Sequence, residues 1–115
     1  MEQFKKLSTF EKRQNESQRI VKKYPERVPV VVCKNYGDSL PDIDKQKFLV
    51  PKDMSIGQFM YIIRKRIKLD SNQALFIMVN NSLQTSTKLL SEIYETCCDP
   101  DGFLYIVYSS ENTFG

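Results

Sequence analysis

The residue of this chain best suited to covalent chemistry is the glycine at position 115. Gly115 follows a strand-like run at 103–108 and a short polar stretch. Because glycine has no Cβ, its carboxyl group can enter a narrow active site with little steric hindrance. The pattern fits a flexible conjugation tail over residues 109–115, with Gly115 as the attachment point. A frayed terminus is the alternative, and the position alone leaves both interpretations open.

The residues needed for most other chemistry are sparse. The chain contains three cysteines, Cys33, Cys97 and Cys98, and no histidine. Without histidine there is no Cys–His nucleophile pair and no histidine metal site. Cys97 and Cys98 are adjacent, so they lack the CxxC spacing of a redox site and have too few partners for zinc. We expect reduced cysteines in packing or loop positions, no enzymatic activity, and no cofactor or metal.

Length and composition indicate one domain with one core. We expect the protein to be made in the cytosol and to stay there. Of the 115 residues, 41% are hydrophobic and 27% are charged. No apolar run approaches the ~20 residues of a membrane-spanning helix, and the N-terminus lacks the apolar stretch of a signal peptide.

The net charge is only +3, but the basic residues are clustered. Such clusters attract acidic peptides, anionic lipid surfaces or nucleic acid, although solvated lysines are the plain alternative. The three clusters are Lys22, Lys23 and Arg27; Lys45 and Lys47; and Arg64, Lys65, Arg66 and Lys68.

Apolar spacing and turn residues predict an α+β fold with the ubiquitin-like β-grasp plan. Residues 1–24 are predicted to form an N-terminal subdomain of two helices, the second starting near Thr9 behind a Ser8/Glu11 capping box. Strands are predicted at 28–33, 47–51, 75–79 and 103–108, with helices after a Ser55/Gln58 capping box and at 89–94. The core at 25–108 is then a four-stranded mixed sheet with a crossing helix, in which the first and last strands lie side by side.

Proline at position 51 indicates that the second strand lies at an open edge of the sheet. Proline cannot donate a hydrogen bond to a neighbouring strand, so it occurs on edge strands or at strand ends. Side chains alternate along a strand, which places Lys47 and Leu49 on one face and Phe48 and Val50 on the other. An extended ligand added along this edge would lie between the two sets, as in β-augmentation. An ordinary edge strand guarded by lysines is the alternative.

Ordered motifs along nearly the whole chain, from about residue 4 to residue 115, resemble the GABARAP-type family of autophagy-related ubiquitin-like modifiers. The number of motifs and their matching intervals make the resemblance specific. In chain order they are Phe10-Glu11-Lys12-Arg13, Tyr24-Pro25-Glu26-Arg27-Val28-Pro29-Val30, Asp44-Lys45, Phe48-Leu49-Val50-Pro51, Ile56-Gly57-Gln58-Phe59, Ile63-Arg64-Lys65-Arg66-Ile67, Leu75-Phe76, Val79-Asn80-Asn81, Phe103-Leu104-Tyr105-Ile106 and Glu111-Asn112-Thr113-Phe114-Gly115.

The resemblance implies a modifier whose C-terminal glycine is exposed by a cysteine protease that also acts in delipidation. Activating and conjugating enzymes of the autophagy pathway would then link Gly115 to phosphatidylethanolamine, and the lipidated form would sit on the autophagosome membrane. There it would recruit cargo receptors that carry an aromatic-x-x-aliphatic motif with acidic flanks.

The resemblance also implies which residues bind that motif. The aromatic side chain would enter a site formed by Glu16, Ile20, Pro29, Val31, Lys47, Leu49 and Phe103. The aliphatic side chain would enter a second site formed by Phe48, Val50, Pro51, Met54, Phe59 and Ile62. The predicted peptide site is completed by the flanking cations, which would favour acidic residues in the ligand: Arg27, Lys45 and Arg66.

Two other function classes compete with a conjugated modifier. A non-conjugated adaptor would use the same edge for trafficking or cytoskeletal partners. A nucleic-acid-binding domain would use the basic cluster at 64–68, but only one helix is basic, and neither a stacking platform nor a zinc site accompanies it. We therefore expect no nucleic-acid partner.

Overall fold

Residues 1–111, which the computed structural model describes, form four helices and one five-stranded sheet. The helices are α1 (Glu2–Lys5), α2 (Phe10–Lys23), α3 (Ile56–Arg66) and α4 (Leu90–Cys97). The strands are β1 (Arg27–Lys34), β2 (Lys47–Pro51), β3 (Phe76–Val79), β4 (Ser82–Leu83) and β5 (Leu104–Ser109). Their order across the sheet is β2-β1-β5-β3-β4, which leaves β2 at one edge.

The first and last strands form the centre of this sheet. β1 and β5 run parallel, with Val30 opposite Leu104 and Lys34 opposite Tyr108. β2 pairs antiparallel with β1, and β3 pairs antiparallel with β5. The ubiquitin-like β-grasp prediction is therefore confirmed.

The sheet has one more strand than the four predicted. β4 pairs with β3, with Met78 opposite Leu83. Asn80 and Asn81 connect the two strands with φ values of 51° and 63°, the left-handed conformation of a tight two-residue hairpin. The turn is visible in the sequence, but both residues of β4 are exposed, so no apolar pattern marks the strand.

Alternate residues of the central strands face two different cores. Val30 and Val32 pack in the larger core with α3, whose Ile56, Phe59 and Ile63 are buried. The smaller core lies on the opposite face, where α1 and α2 cover the sheet; its buried residues are Phe4, Val31, Cys33, Phe103 and Tyr105, with Ile20 packed against them. The sheet is therefore covered by helices on both faces.

The two capping predictions have different outcomes. α3 begins as predicted, because Ser55 accepts a hydrogen bond from the Gln58 N–H while the Gln58 side chain accepts one from the Ser55 N–H. α2 is capped by Thr9 rather than by Ser8, since Thr9 Oγ1 accepts from the Lys12 N–H at 3.1 Å. Adjacent hydroxyl residues make the choice of cap ambiguous in the sequence.

A buried network, here called the Asp101 network, holds α1 and α2 against the turn before β5. Asp101 is fully buried, and its carboxylate accepts hydrogen bonds from Arg13 Nε at 2.9 Å and from the Tyr105 hydroxyl at 2.6 Å. Arg13 Nη1 also donates to the carbonyl oxygens of Lys5 and Ser8, at 2.8 and 2.7 Å. Burial, and then the bond to Asp101, raise the pKa of Tyr105 well above its ordinary value.

Gly102 lets α2 approach this turn closely. Its φ of +90° is in the left-handed region, and a Cβ at this position would lie 2.2 Å from Ser17 Oγ. The Ser17 hydroxyl donates to the Asp101 carbonyl oxygen, so the contact also satisfies a buried polar group. The position of α2 matters for function because α2 forms one wall of the site described next.

Candidate functional site

The hydrogen-bond alternation along β2 shows which backbone groups face away from the sheet. In an antiparallel pair, alternate residues exchange backbone hydrogen bonds with the partner strand, and the residues between them point outward. At one end of the β1–β2 ladder the Val32 N–H donates to the Gln46 carbonyl, and at the other the Lys52 N–H donates to the Glu26 carbonyl. Even-numbered residues of β2 therefore pair with β1, and odd-numbered residues face outward.

Lys47 and Leu49 thus present their backbone N–H and C=O groups to the outside of the sheet. Pro51 ends the row because it has no N–H, and its carbonyl accepts a hydrogen bond from the Met54 N–H. Arg27 Nη1 donates to the Leu49 carbonyl at 3.1 Å. The edge offers two sets of donor and acceptor groups, ~7 Å apart along the strand, to an added chain, although the Leu49 carbonyl accepts from such a chain only when the exposed Arg27 side chain moves away.

A cavity of about 380 Å³ lies beside β2 on the face covered by α2. Leu49 is 38% exposed at its rim, whereas Phe103 is 1% exposed at its floor. An apolar floor with a polar rim suits a large side chain that carries a polar group at its tip. The lining residues are Glu16, Ile20, Lys45, Lys47, Phe48, Leu49 and Phe103.

The structure brings most of the residues predicted for the aromatic side chain to this cavity, namely Glu16, Ile20, Lys47, Leu49 and Phe103. Pro29 and Val31 are instead buried in β1, opposite Leu49 and Lys47 in the strand register. As directly opposed residues of an antiparallel pair, they lie on the same face of the sheet as Leu49 and Lys47.

An ion pair crosses the rim of the cavity. Lys47 Nζ lies 2.9 and 2.8 Å from the two carboxylate oxygens of Glu16. Both side chains are partly exposed, at 49% and 32%, so the pair contributes little to stability. An acidic group on a ligand can therefore replace Glu16 as the partner of Lys47 at small cost.

On the other face of β2, the residues predicted for the aliphatic side chain gather around Phe48. The rings of Phe48 and Phe59 meet edge to face with centroids 5.5 Å apart. Val50 and Phe59 are buried, while Phe48, Met54 and Ile62 are half-buried and pack against the larger core. This face offers a half-exposed apolar surface next to Pro51, here called the Phe48 surface.

Cations flank the half-exposed ring of Phe48. Lys45 Nζ lies 5.1 Å and Arg66 Cζ lies 5.4 Å from its centroid. Arg66 also pairs with Asp44 at 3.2 Å, with both side chains exposed. Together with Arg27 and Lys47, these residues place positive charge along the whole length of the β2 edge.

A second cavity, of about 900 Å³, adjoins the first and was not predicted. The two cavities share Glu16 and Lys47. Phe4 of α1 lines it because α1 folds back onto the smaller core, a contact that the short N-terminal sequence does not reveal. The cavity is also lined by three cations on α2, whose helical spacing in the sequence could have indicated a shared surface on one face of the helix: Lys12, Arg19 and Lys22.

The other residues that the sequence sets apart lie away from β2. Cys33 is buried, Cys97 is half-buried against the larger core, and Cys98 is exposed. Within residues 1–111, no group of three or more His, Cys, Asp or Glu side chains is placed to hold a metal ion. Gly115 lies outside the described residues. Across 1–111, none of the helices is both long and apolar enough to span a membrane.

Comparisons with known proteins agree with this architecture. A family model described as "Autophagy protein Atg8 ubiquitin like" matches residues 12–115. Autophagy-related protein 8e of Arabidopsis thaliana is 54% identical over 112 residues, covering 97% of this chain and 92% of that protein. Autophagy-related protein 8 of Kluyveromyces lactis is 56% identical over 113 residues, covering 97% of this chain and 90% of that protein.

The crystal structure of Trypanosoma brucei ATG8 superposes with a TM-score of 0.89 at 39% identity, covering 97% of both chains. None of these descriptions names an enzymatic activity. Since both the family match and the close relatives span nearly the whole sequence, the chain belongs to the Atg8 family of ubiquitin-like autophagy proteins.

Proposed function

We propose that this protein is conjugated through Gly115 to phosphatidylethanolamine and recruits cargo receptors to the autophagosome membrane through the β2 edge. The observation that carries the recruitment part is the open edge itself. Lys47 and Leu49 face outward with their backbone groups, between a cavity on one face and the Phe48 surface on the other.

Because the cavity and the Phe48 surface lie on opposite faces of β2, the edge favours a motif with an odd spacing between its anchor residues. In an extended chain, residues three positions apart point to opposite faces and lie ~10 Å apart. An aromatic-x-x-aliphatic segment paired with β2 would therefore place its aromatic side chain in the cavity and its aliphatic side chain on the Phe48 surface. A spacing of two would direct both side chains to the same face.

Charge along the edge supports acidic flanks in the ligand. Lys47 is partnered by Glu16 and Arg66 by Asp44, both in exposed pairs that exchange readily for a ligand carboxylate. Arg27 and Lys45 add positive charge at the two ends of β2. These charges would steer acidic peptides to the edge and would act more strongly at low salt.

Membrane attachment through a lipid fits this mode of recognition. Phosphatidylethanolamine has two acyl chains, which is enough for stable anchoring where one chain is marginal. A single short peptide buries little area, so its affinity is modest, and many copies on one membrane would raise it through effective concentration. The proposed partners are the activating and conjugating enzymes, the processing protease and the motif-bearing receptors, with a cytoplasmic pool before lipidation.

Calorimetry with a synthetic aromatic-x-x-aliphatic peptide tests the recruitment part. Leu49→Ala should weaken binding by about 1–3 kcal/mol, because it truncates an anchor at the cavity rim. Leu83→Ala is the matched control, since Leu83 is similarly exposed at 45% but lies on β4 at the opposite edge. A peptide shortened to aromatic-x-aliphatic should bind the wild type weakly. Equal binding by both leucine variants would contradict the assignment.

A gel assay with the conjugation enzymes and liposomes tests the attachment part. Wild-type protein should show a lipid-dependent mobility shift that Gly115→Ala abolishes. A shift that persists in the variant would exclude Gly115 as the attachment point. No shift in the wild type, together with intact peptide binding, would favour the non-conjugated adaptor.

A further inference from the structure

The loop after β1 holds the end of β5 through the carboxylate of Asp38. Its Oδ2 accepts hydrogen bonds from the Ser110 N–H at 2.8 Å, Ser109 Oγ at 3.0 Å and Ser110 Oγ at 3.1 Å. Its Oδ1 accepts from the Leu40 N–H at 2.9 Å. Ser109 Oγ in turn accepts from the Glu111 N–H at 3.1 Å. We call this group of bonds the Asp38 cluster.

The carboxylate of Asp38 is ionised at neutral pH. Burial acts to raise its pKa, but the hydrogen bonds from Ser110, Leu40 and Ser109 outweigh burial and lower the pKa below its ordinary value. Hydrogen bonds to a charged acceptor are shorter and stronger than those between neutral groups.

Asp38 is itself fixed by contacts that do not involve the residues after β5. The Asn35 N–H donates to the Tyr108 carbonyl at 2.9 Å, which extends the β1–β5 pairing into the loop. The Asp38 N–H donates to the Asn35 carbonyl at 3.0 Å, closing a turn in which Gly37 has a φ of +77°. The Tyr108 hydroxyl donates to the Pro41 carbonyl at 2.7 Å. The loop therefore presents the carboxylate at a defined place beside the end of β5.

The cluster limits how far Gly115 can lie from the residues that the cluster holds. Four residues follow Glu111 up to Gly115, and at ~3.3–3.6 Å per residue they span at most ~14 Å. If the cluster opened, six residues beyond Ser109 would be free and the limit would rise to ~21 Å.

We propose that Asp38 is a positioning residue for conjugation, which holds the start of the tail so that Gly115 reaches the activating enzyme from a fixed exit point. This inference rests on the proposed attachment at Gly115. A segment that is already ordered loses less conformational freedom on binding, so the enzyme captures it more readily.

Asp38→Ala tests the proposal with two readouts, and Asp42→Ala is its matched control. Asp42 lies in the same loop, but its carboxylate pairs with Lys34 at 3.0 Å and is 85% exposed. In Asp38→Ala, amide hydrogen exchange at Ser110 should accelerate. The KM for thioester formation with the activating enzyme should rise about fivefold to thirtyfold, the factor for freeing one backbone residue. The kcat should stay unchanged, and Asp42→Ala should change neither readout.

Gly37→Ala provides an independent variant that keeps every side chain of the cluster. Its strained φ should displace Asp38 and raise the KM in the same direction. Retained affinity for the motif peptide shows in each variant that the domain is folded.

Two results from Asp38→Ala would overturn the proposal. Unaccelerated exchange at Ser110 in Asp38→Ala would mean that the cluster does not hold the tail. Accelerated exchange with an unchanged or lower KM would mean that holding the tail does not assist capture. If wild-type protein forms no thioester at all, the attachment at Gly115 fails and the kinetic role of Asp38 fails with it, while Ser110 exchange still decides whether the cluster exists in solution.

Discussion

Replacing Arg13 by alanine should destabilise the fold and damage the docking site together. The change leaves the Asp101 carboxylate, which is fully buried, without its charged partner at 2.9 Å. Removing one member of a buried ion pair costs about 3–5 kcal/mol, because the remaining charge stays desolvated. For a chain of 115 residues, total stability is roughly 6–17 kcal/mol at 0.05–0.15 kcal/mol per residue. The loss is therefore a large fraction of the total.

Urea unfolding followed by circular dichroism measures this cost, and calorimetry with the motif peptide measures its functional consequence. Arg13→Ala should lower the midpoint, and peptide affinity should fall because α2 carries Glu16 and Ile20 at the cavity. Arg66→Ala is the control for the unfolding measurement alone, because Arg66 belongs to the predicted peptide site; its pair with Asp44 is exposed and its loss should cost less than about 1 kcal/mol of stability. A cost below about 1 kcal/mol for Arg13→Ala would refute the reasoning about the Asp101 network.

The remaining predictions concern charge and pH. Lys47→Glu should weaken the binding of acidic-flanked peptides by about 1–2 kcal/mol more than the binding of neutral ones. Calorimetry should show this difference narrowing as the salt concentration rises. Equal losses of binding free energy for the two kinds of peptide would show that Lys47 does not contact the acidic flanks. Burial, and then the nearby carboxylates of Asp42 and Asp38, raise the pKa of Tyr108 to about 12 from 10.0. Because the pKa of Tyr108 is higher in the native state than in the unfolded state, the native state is favoured while Tyr108 is neutral. This contribution to the free energy of unfolding is complete below pH 10 and is lost as the pH rises towards 12. Tyr108→Phe should reduce the base-induced fall in unfolding free energy, and an unchanged fall would contradict the shift.

Much of the fold could be predicted because each pattern had a local physical cause. Pro51 indicated the edge position of β2, and the period of two along that strand separated Phe48 from Leu49. The Ser55/Gln58 spacing located the start of α3 at Ile56. These features depend on neighbours within a few residues, so the sequence reveals them directly.

The features that the sequence did not reveal depend on contacts between distant residues. Arg13 and Asp101 are 88 positions apart, and nothing in either segment indicates that they meet in the interior. The second cavity depends on Phe4 folding back against the smaller core. The hydrogen bond from the Ser110 N–H to the Asp38 carboxylate joins residues 72 positions apart. The sequence predicts their two segments separately, as a loop and as a tail. Such pairs become visible only when the sheet has brought them together.

The central claim is that a motif peptide pairs with the outward-facing backbone groups of β2. Amide hydrogen exchange along β2 tests this claim directly. Saturation with an aromatic-x-x-aliphatic peptide should slow exchange at Lys47 and Leu49, whose N–H groups face outward, and leave Phe48 and Val50 nearly unchanged because β1 already protects them. No slowing at Lys47 and Leu49 under saturating peptide, or slowing at β4 instead, would show that the ligand does not pair with this edge.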